Sequence, residues 1–175
     1  MELGCHKLYN DVVLPTFSTD QSACFDIRAY LFPLNGSITS YSTQNETINL
    51  PCCMEDLDTN RYYIEISPNA RVLIPTGLIF FIPGGYSVRL HARSGLALKQ
   101  GLVLANAEGV IDSDYILPTY IMMTNTSMNR VRIYHGDRIA QGELVETLQY
   151  TIKEYKENPT TNSNRVGGFG STGKT

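Results

Sequence analysis

The sequence predicts an all-β fold, a jelly-roll-like barrel or sandwich built from many short strands. Short runs of β-branched and aromatic residues recur along the chain, and several of them alternate apolar with polar positions. Glycine and proline separate these runs, and the sequence has neither a long helical period nor an internal repeat. Short strands with turn residues between them are typical of sandwiches and barrels.

The chain has 175 residues, which suits a single domain with its own hydrophobic core. We assign residues 1–150 to the β domain, with an insertion at about 33–62. Residues 151–175 form a polar linker and a flexible, glycine-rich C-terminal arm.

The N-terminal region contains two short strand candidates, at 7–9 and 12–15. A clearer strand follows at 23–32, where apolar residues alternate with Asp26 and Arg28. Because successive side chains of a strand point to opposite faces, Asp26 and Arg28 are expected on the face away from the core.

The insertion at 33–62 is rich in Asn, Ser and Thr and has few periodic apolar residues. Its first half is compatible with a loose hairpin, and residues 52–60 have the composition of a loop. We therefore expect an excursion from a compact core.

The remainder of the domain reads as short strands around one short helical segment. The helical segment is 94–100, and His135, Gly136 and Asp137 form a turn. The expected strands are 62–66, 70–77, 78–83, 86–91, 102–105, 109–111, 119–124, 130–134 and 138–148.

Charge and hydropathy exclude several classes of function. Lys and Arg number 14 against 17 Asp and Glu, a net charge of −3, which argues against a nucleic-acid surface. No apolar run approaches the length of a membrane span, and the N-terminus lacks the apolar core of a signal peptide. We therefore expect a protein that is not secreted, located in the cytoplasm, or in host cytoplasm or nucleus if its source is viral.

The four cysteines, Cys5, Cys24, Cys52 and Cys53, have neither zinc-finger nor redox spacing. We expect buried or half-buried free thiols. A metal site at Cys5 and His6 is a weaker alternative.

Residues 92–115 contain several candidate functional side chains close together in sequence. Arg93, Ser94 and Gly95 combine a charge, a hydroxyl and a close backbone approach, which suits an anion. Further along, Asp112 offers a general base or a metal contact, and Tyr115 follows it closely. An isolated aspartate or tyrosine of this kind is more often a turn or core residue.

The C-terminal arm combines an arginine, several glycines, two hydroxyls and a lysine, which suits a polyphosphate. Its spacing does not match the GxxxxGK[ST] loop of P-loop proteins. A mobile arm that closes over a phosphate chain is one interpretation, and a glycine-rich tail without a ligand is the other.

Five segments, in order along the chain, resemble one family, the homotrimeric all-β deoxyuridine triphosphatases (dUTPases). The segments are ACFDIRA at 23–29, ARSGLA at 92–97, NAEGVIDSDY at 106–115, GDRIAQ at 136–141 and RVGGFGSTG at 165–173. The resemblance implies hydrolysis of dUTP to dUMP and pyrophosphate, which keeps uracil out of DNA and supplies dUMP for thymidylate synthesis. It also implies Mg²⁺, a homotrimer, and active sites shared between subunits.

The resemblance also implies roles for residues around the phosphates. Asp112 would activate the water that attacks the α-phosphorus, and Mg²⁺ would bind mainly the phosphates, with Asp26 near it through water. Arg138 would brace the site through Asp114 or another nearby carboxylate. The alternative for Asp114 is a structural role without part in the reaction. The residues expected to hold the phosphate chain are Arg93, Ser94, Gly95, Gln141, Arg165, Ser171 and Thr172.

The nucleoside would be recognised by its shape and its polar edge. Tyr115 would pack under the deoxyribose and exclude a 2′-hydroxyl, and Phe169 of the arm would stack on the uracil. Asn106 and backbone groups near Gly109 and Tyr120 would bind the uracil edge.

The chain departs from the family pattern at four places. Cys24 stands where glycine is usual, Ala92 where proline is usual, and Ile116 and Leu117 replace a polar residue and glycine. The fourth departure is the insertion at 33–62, a possible site for a protein partner. Three alternatives therefore remain: a regulatory protein with this fold, a relative of the dCTP deaminases, and a purely structural trimer.

Overall fold

The computed structural model describes residues 1–31, 37–42, 46–55 and 61–160. Within these ranges the chain forms fifteen strands and one helix, and the all-β prediction is confirmed. The strands of the N-terminal half are β1 (Gly4–Lys7), β2 (Thr16–Phe17), β3 (Phe25–Arg28), β4 (Ser37–Tyr41), β5 (Thr47–Pro51), β6 (Cys53–Met54), β7 (Tyr62–Ile66), β8 (Arg71–Pro75) and β9 (Leu78–Phe81).

The C-terminal half contains the helix and the remaining strands. These elements are β10 (Tyr86–Ala92), α1 (Ser94–Gln100), β11 (Leu102–Leu104), β12 (Gly109–Asp112), β13 (Tyr120–Asn125), β14 (Val131–Tyr134) and β15 (Arg138–Glu146). The helix ends at Gly101, whose φ of 69° is left-handed and therefore suits glycine. No helix among the described residues is long and apolar enough to span a membrane.

Two five-stranded antiparallel sheets form the framework of the fold. The first sheet has the strand order β12-β10-β15-β3-β2, and the second has the order β11-β13-β8-β4-β5. Smaller sheets pair β1 with β9 and β14 with β7 and β6. Alternating side chains from these strands form one core, in which Ile27, Ile74 and Ile121 are fully buried.

The alternation predicted for residues 23–32 is confirmed over β3. Phe25 and Ile27 are buried, whereas Asp26 and Arg28 on the other face are half-buried. This strand lies between β15 and β2 in the first sheet, so the outward face of β3 borders that of β15.

The described residues of 33–62 pair with the strands of the domain, although none of them belongs to the buried core. Strands β4 and β5 form the predicted hairpin, but β4 also pairs with β8 through Ser40 opposite Val72. The hairpin therefore extends the second sheet, because its backbone occupies the free hydrogen-bonding edge of β8. The expected loop at 52–60 likewise contains β6, which pairs with β7.

The N-terminal strand is displaced from its predicted position. Residues 4–7, rather than 7–9, form β1, which pairs with β9 through Cys5 opposite Phe80. Residues 12–15 form no strand, although Val12 is buried in the core. All four cysteines are half-buried free thiols, as the sequence predicted.

Candidate active site

One end of the first sheet carries a group of charged side chains centred on Asp26. Arg93 Nε lies 3.1 Å from Asp26 Oδ1, and Arg138 Nη1 donates to Asp26 Oδ2 over 3.0 Å. Ser18 Oγ also donates to Oδ2, over 2.8 Å, and Arg93 Nη1 donates to the Arg138 carbonyl oxygen over 3.0 Å. We call these four residues the arginine–aspartate cluster.

The sheet itself brings the cluster together. Asp26 lies on β3, Arg138 begins β15 and Arg93 follows β10, and these are three adjacent strands. Arg138 therefore binds Asp26, the second of its two predicted options, and makes no described contact with Asp114. Ser18 was not identified from the sequence, because a serine in a polar run carries no signal of its partner.

Asp26 is held in its ionised form by its neighbours. Burial raises the pKa of this carboxyl, but hydrogen bonds from Ser18 and Arg138 and the charges of Arg93 and Arg138 lower it. The lowering effects prevail, and the pKa of Asp26 lies below its usual range. Its side chain is only 11% exposed, so removing its charge would leave two arginines without a close counter-ion.

We expect the stability advantage of the wild type over Asp26→Asn to disappear as the pH falls below about 4. The folded-state pKa of Asp26 is lowered, so its contribution is complete above the unfolded-state pKa and lost as pH falls through the folded-state value. Urea unfolding at pH 7 and at several acid pH values would measure it, with Asp114→Asn as an exposed control. An advantage that is independent of pH would contradict the expectation.

The other predicted phosphate-binding residues of the described chain border the cluster. Ser94 and Gly95 form the exposed first turn of α1, directly after Arg93. Gln141 lies opposite Asp26 in β3 and opposite His91 in β10. Arg165, Ser171, Thr172 and Phe169 of the arm lie outside the described residues.

Four of the five predicted nucleoside-binding residues line one cavity of about 330 Å³. They are Asn106, Gly109, Tyr115 and Tyr120. Aliphatic side chains, including Leu90 and Ile111, form much of the remaining wall. A mostly apolar cavity with a few polar groups is the usual form of a small-molecule site.

The backbone at Gly109 forms part of the cavity wall through close packing. A Cβ atom at this position would lie 2.9 Å from both Cβ and Cδ1 of Leu90. Any larger residue would therefore push Leu90 or β12 out of place.

Thr119 is a cavity residue that the sequence reasoning did not assign to the site. Its backbone is fixed, because its amide donates to Leu78 and its carbonyl accepts from Thr76. Its hydroxyl is buried and has no hydrogen-bond partner among the described residues. A buried hydroxyl without a partner is costly, but its oxygen is not accessible from the open cavity.

Asp112 ends β12 at the cavity, directly after the lining residue Ile111. Its side chain is exposed, and its carbonyl accepts from the Tyr115 amide in a tight turn. The Tyr115 hydroxyl donates to the Pro118 carbonyl over 3.2 Å, which orients the ring. Asp114 is also exposed and makes no described side-chain contact.

The arginine–aspartate cluster and Asp112 lie far apart within one chain. Asp112 pairs with Ser87 near the start of β10, whereas Arg93 follows the end of that strand. Six residues of extended chain separate Ser87 from Arg93, which corresponds to about 20 Å. One chain therefore does not bring Asp112 and Arg93 to the same small ligand.

The arginine–aspartate cluster does not bind Mg²⁺ directly, and it suits an ion that is held mainly by other groups. Both carboxylate oxygens of Asp26 already accept hydrogen bonds or ion pairs. Among the described residues, no group of three carboxylates converges on one point. Mg²⁺ prefers several oxygen ligands and keeps some of its waters, so a ligand phosphate chain would have to supply the remainder.

Two of the departures from the family pattern are tolerated by the backbone. Among the described non-glycine residues only Asn69 and Ala107 have positive φ, so Cys24 needs no glycine-like conformation. Ile116 and Leu117 are exposed in the segment between β12 and β13, which do not pair with each other.

Comparisons with known proteins agree with the resemblance. The family model described as dUTPase matches residues 56–173. A deoxyuridine 5′-triphosphate nucleotidohydrolase of Dinoroseobacter shibae is 37% identical over 163 residues, covering 93% of this chain and 89% of the relative.

Solved structures of dUTPases share the fold. A dUTPase from Streptococcus mutans matches with a TM-score of 0.63 and 25% identity, covering 86% of this chain and 99% of the other. A mutant dUTPase from phage phi11 of S. aureus matches with a TM-score of 0.67 and 19% identity, covering 91% and 100%. The latter structure is described as revealing the coordination of a structural Mg(II) ion.

Proposed function

Since the chain belongs to the dUTPase family and hydrolyses dUTP, we propose that Asp112 activates the attacking water and the arginine–aspartate cluster holds the triphosphate. The products are dUMP and pyrophosphate. The observation that carries this assignment is the convergence of Asn106, Gly109, Tyr115 and Tyr120 on one cavity, with Asp112 directly after the lining residue Ile111.

Asp112 serves as the general base in this mechanism. Its carboxylate accepts a proton from water while the water oxygen forms a bond to the α-phosphorus. The bond from that phosphorus to the bridging oxygen breaks, and pyrophosphate leaves with the electron pair. Support for this role comes from the free, exposed carboxylate of Asp112 at the cavity, which leaves room for a water between it and a bound nucleotide.

Arg93 binds the phosphate chain, and Asp26 positions it. The contacts to Asp26 Oδ1 and to the Arg138 carbonyl fix the guanidinium plane before the substrate arrives. Donors that are already oriented stabilise the charge of a phosphoryl transition state without further reorganisation. Ser94, Gly95 and Gln141 add hydrogen bonds from the same end of the sheet.

Mg²⁺ fits this site as an ion bound mainly by the phosphates, with Asp26 reached through water. When bound, it disperses the negative charge that develops on the phosphate chain. The residues of the chain orient the phosphates on which it is held.

The nucleoside cavity selects deoxyuridine. Asn106 and backbone groups near Gly109 and Tyr120 hydrogen-bond the uracil edge. A site built to hydrogen-bond one base leaves its own polar groups unpaired against another, so cytosine is disfavoured.

Tyr115→Ala is expected to reduce the preference for dUTP over UTP by about 10- to 100-fold, because removing the ring makes room for a 2′-hydroxyl. The measurement is kcat/KM for both nucleotides. Tyr115→Phe is the matched control, since it keeps the ring and loses only the hydrogen bond to Pro118. An unchanged preference in Tyr115→Ala would show that another group excludes the ribose hydroxyl.

The complete site is formed between chains of a homotrimer. The separation of about 20 Å along β10 between Asp112 and Arg93 supports this, because a second chain must supply one of them. A row of exposed apolar residues after β15 also favours contact with a neighbour; these are Leu148, Tyr150, Ile152 and Tyr155.

The C-terminal arm closes the site in this proposal. Arg165, Ser171 and Thr172 bind the β- and γ-phosphates, and Phe169 stacks on the uracil. Support comes from the sequence of the arm and from the exposed, strand-free segment 148–160 that leads to it. The boundary at residue 150 between the β domain and the linker remains a prediction.

The function is tested by measuring pyrophosphate release from dUTP, dCTP, dTTP and UTP, with Mg²⁺ and with a chelator. Release confined to dUTP and stopped by the chelator is the expected result. Ammonia release from dCTP would point to the deaminase alternative. No turnover of any nucleotide would contradict the enzymatic function.

A partner protein at 33–62 receives no support from the described residues. The hairpin of β4 and β5 has a structural role in the second sheet, which accounts for its presence without a ligand. If a deletion of this hairpin kept dUTP hydrolysis but lost a captured partner, the regulatory alternative would be favoured.

A further inference from the structure

A second group of potential ligands lies on the outward face of the first sheet. The Cys24 Sγ atom, a ring nitrogen of His91 and a carboxylate oxygen of Glu143 all lie within 4.8 Å of one another. Nε2 of His91 is 3.1 Å from Oε1 of Glu143. The proposed mechanism uses none of these three side chains.

The strand register holds the three residues together. Glu143 lies on β15, between the strand of His91 (β10) and the strand that Cys24 precedes (β3). Gly142 pairs with Phe25, so the antiparallel register places Glu143 beside Cys24. Gln141 pairs with His91, so His91 lies diagonally across from Glu143 on the same face.

We propose that Cys24, His91 and Glu143 bind one Zn²⁺ ion per chain, with water completing the coordination. A thiolate, an imidazole and a carboxylate are the three side-chain ligands that zinc uses in proteins. The thiolate and imidazole also disfavour Mg²⁺, which prefers oxygen ligands alone. The site is therefore separate from the Mg²⁺ carried by the substrate, and it does not depend on the proposed reaction.

A second carboxylate lies near the other ring nitrogen of His91. Its other ring nitrogen, Nδ1, lies 3.9 Å from Oε1 of Glu108, on the opposite side from Glu143. Arg89 in turn contacts Glu108 Oε2 over 3.3 Å and holds this carboxylate in place. At 3.9 Å this is a charge contact rather than a hydrogen bond, so it places a carboxylate behind the ring without fixing the ring.

A hydrogen bond between His91 and Glu143 would by itself explain why these two side chains lie together. It does not explain why the Cys24 thiol lies beside them. Cys24 stands where the resembling family usually has glycine, so this chain has added a ligand at that point. Burial, followed by the charge of Glu143, raises the pKa of the Cys24 thiol. Bound zinc would offset this effect by stabilising the thiolate, so binding should release a proton.

An ion can reach the site from solvent. The side chains of His91 and Glu143 are 30% and 37% exposed, respectively. The site lies one side-chain row from Asp26, because Cys24 and Asp26 point to the same face of the first sheet. Zinc bound there would join β3, β15 and β10, the strands that also carry the arginine–aspartate cluster.

The test is metal binding to the full chain. The protein is purified in the presence of a chelator, which is then removed, and saturating Mg²⁺ is added to fill sites that are made of oxygen ligands. Zn²⁺ is titrated by calorimetry, and Co²⁺ is added separately as a spectroscopic substitute whose thiolate charge-transfer band reports a cysteine ligand. The variants are Cys24→Ser and His91→Ala. The matched controls are Cys53→Ser and His6→Ala, which lie outside the site.

We expect one Zn²⁺ per wild-type chain, a cobalt–thiolate band, and a higher unfolding temperature with Zn²⁺. Both site variants should lose the band and at least about 10-fold in zinc affinity, and both controls should keep them. Absence of zinc binding by the wild type would overturn the proposal. Equal affinity and an equal band in the site variants would overturn it as well, because the ion would then bind elsewhere.

Discussion

Asp112→Asn is expected to lower kcat for dUTP by about 100- to 10,000-fold, the usual contribution of a general base. Asparagine keeps the shape of the side chain but accepts no proton from the attacking water. KM should change little, because Asp112 acts on the water rather than on the nucleotide. Single-turnover hydrolysis, together with nucleotide binding measured by calorimetry, separates these two quantities.

The fold should be unaffected by this change, since the Asp112 side chain is exposed and has no described partner. The unfolding temperature of the variant should therefore equal that of the wild type. Asp114→Asn is the matched control, because this aspartate is two residues away and equally exposed, and it lies in the turn beyond β12 rather than on the strand. A large loss of kcat in Asp114→Asn with none in Asp112→Asn would transfer the catalytic role to Asp114.

Arg93→Ala is expected to lower kcat/KM by about 100- to 1,000-fold, because it removes a charged, oriented donor to the phosphates. Arg93→Lys should recover only part of the loss, since an ammonium group lacks the planar fork that contacts both Asp26 and the Arg138 carbonyl. The control is Arg132→Ala. Like Arg93, this arginine is paired with carboxylates, in its case two glutamates, but it lies on β14.

A mixture of Asp112→Asn and Arg93→Ala chains should recover activity that neither variant has alone. If two chains build each site, random assembly of equal amounts leaves about a quarter of the interchain pairs with both residues intact. Co-refolding the two variants and assaying dUTP hydrolysis measures this recovery. Activity no greater than that of the separate variants would show that one chain supplies both groups, contrary to the register of β10.

The local pattern of the chain predicted many strands because side-chain alternation is a local property. The two faces of β3, the helix α1 and the strands from β7 to β15 were all expected close to their observed places. The same pattern was weak where few apolar residues alternate, so the pairing of the 33–62 hairpin with the second sheet was not predicted. The hairpin is held by β8, a partner that its own composition does not reveal.

The candidate site also contains residues that the sequence predicted and one that it did not. Asn106, Gly109, Tyr115 and Tyr120 were identified by motif, and they line one cavity. The buried, unpaired hydroxyl of Thr119 was missed, because such a group can be recognised only when its surroundings are known.

The sequence by itself determined the fold class, the family and the types of residue that serve the reaction, because these follow from short-range periodicity and contiguous motifs. Only the tertiary structure decided that Asp26 binds two arginines, that Arg93 and Asp112 lie at opposite ends of β10, and that Cys24, His91 and Glu143 meet. Each of these depends on which strands are neighbours and in which register they pair. Hydrogen bonding between distant segments sets that register, and no local pattern in the chain encodes it.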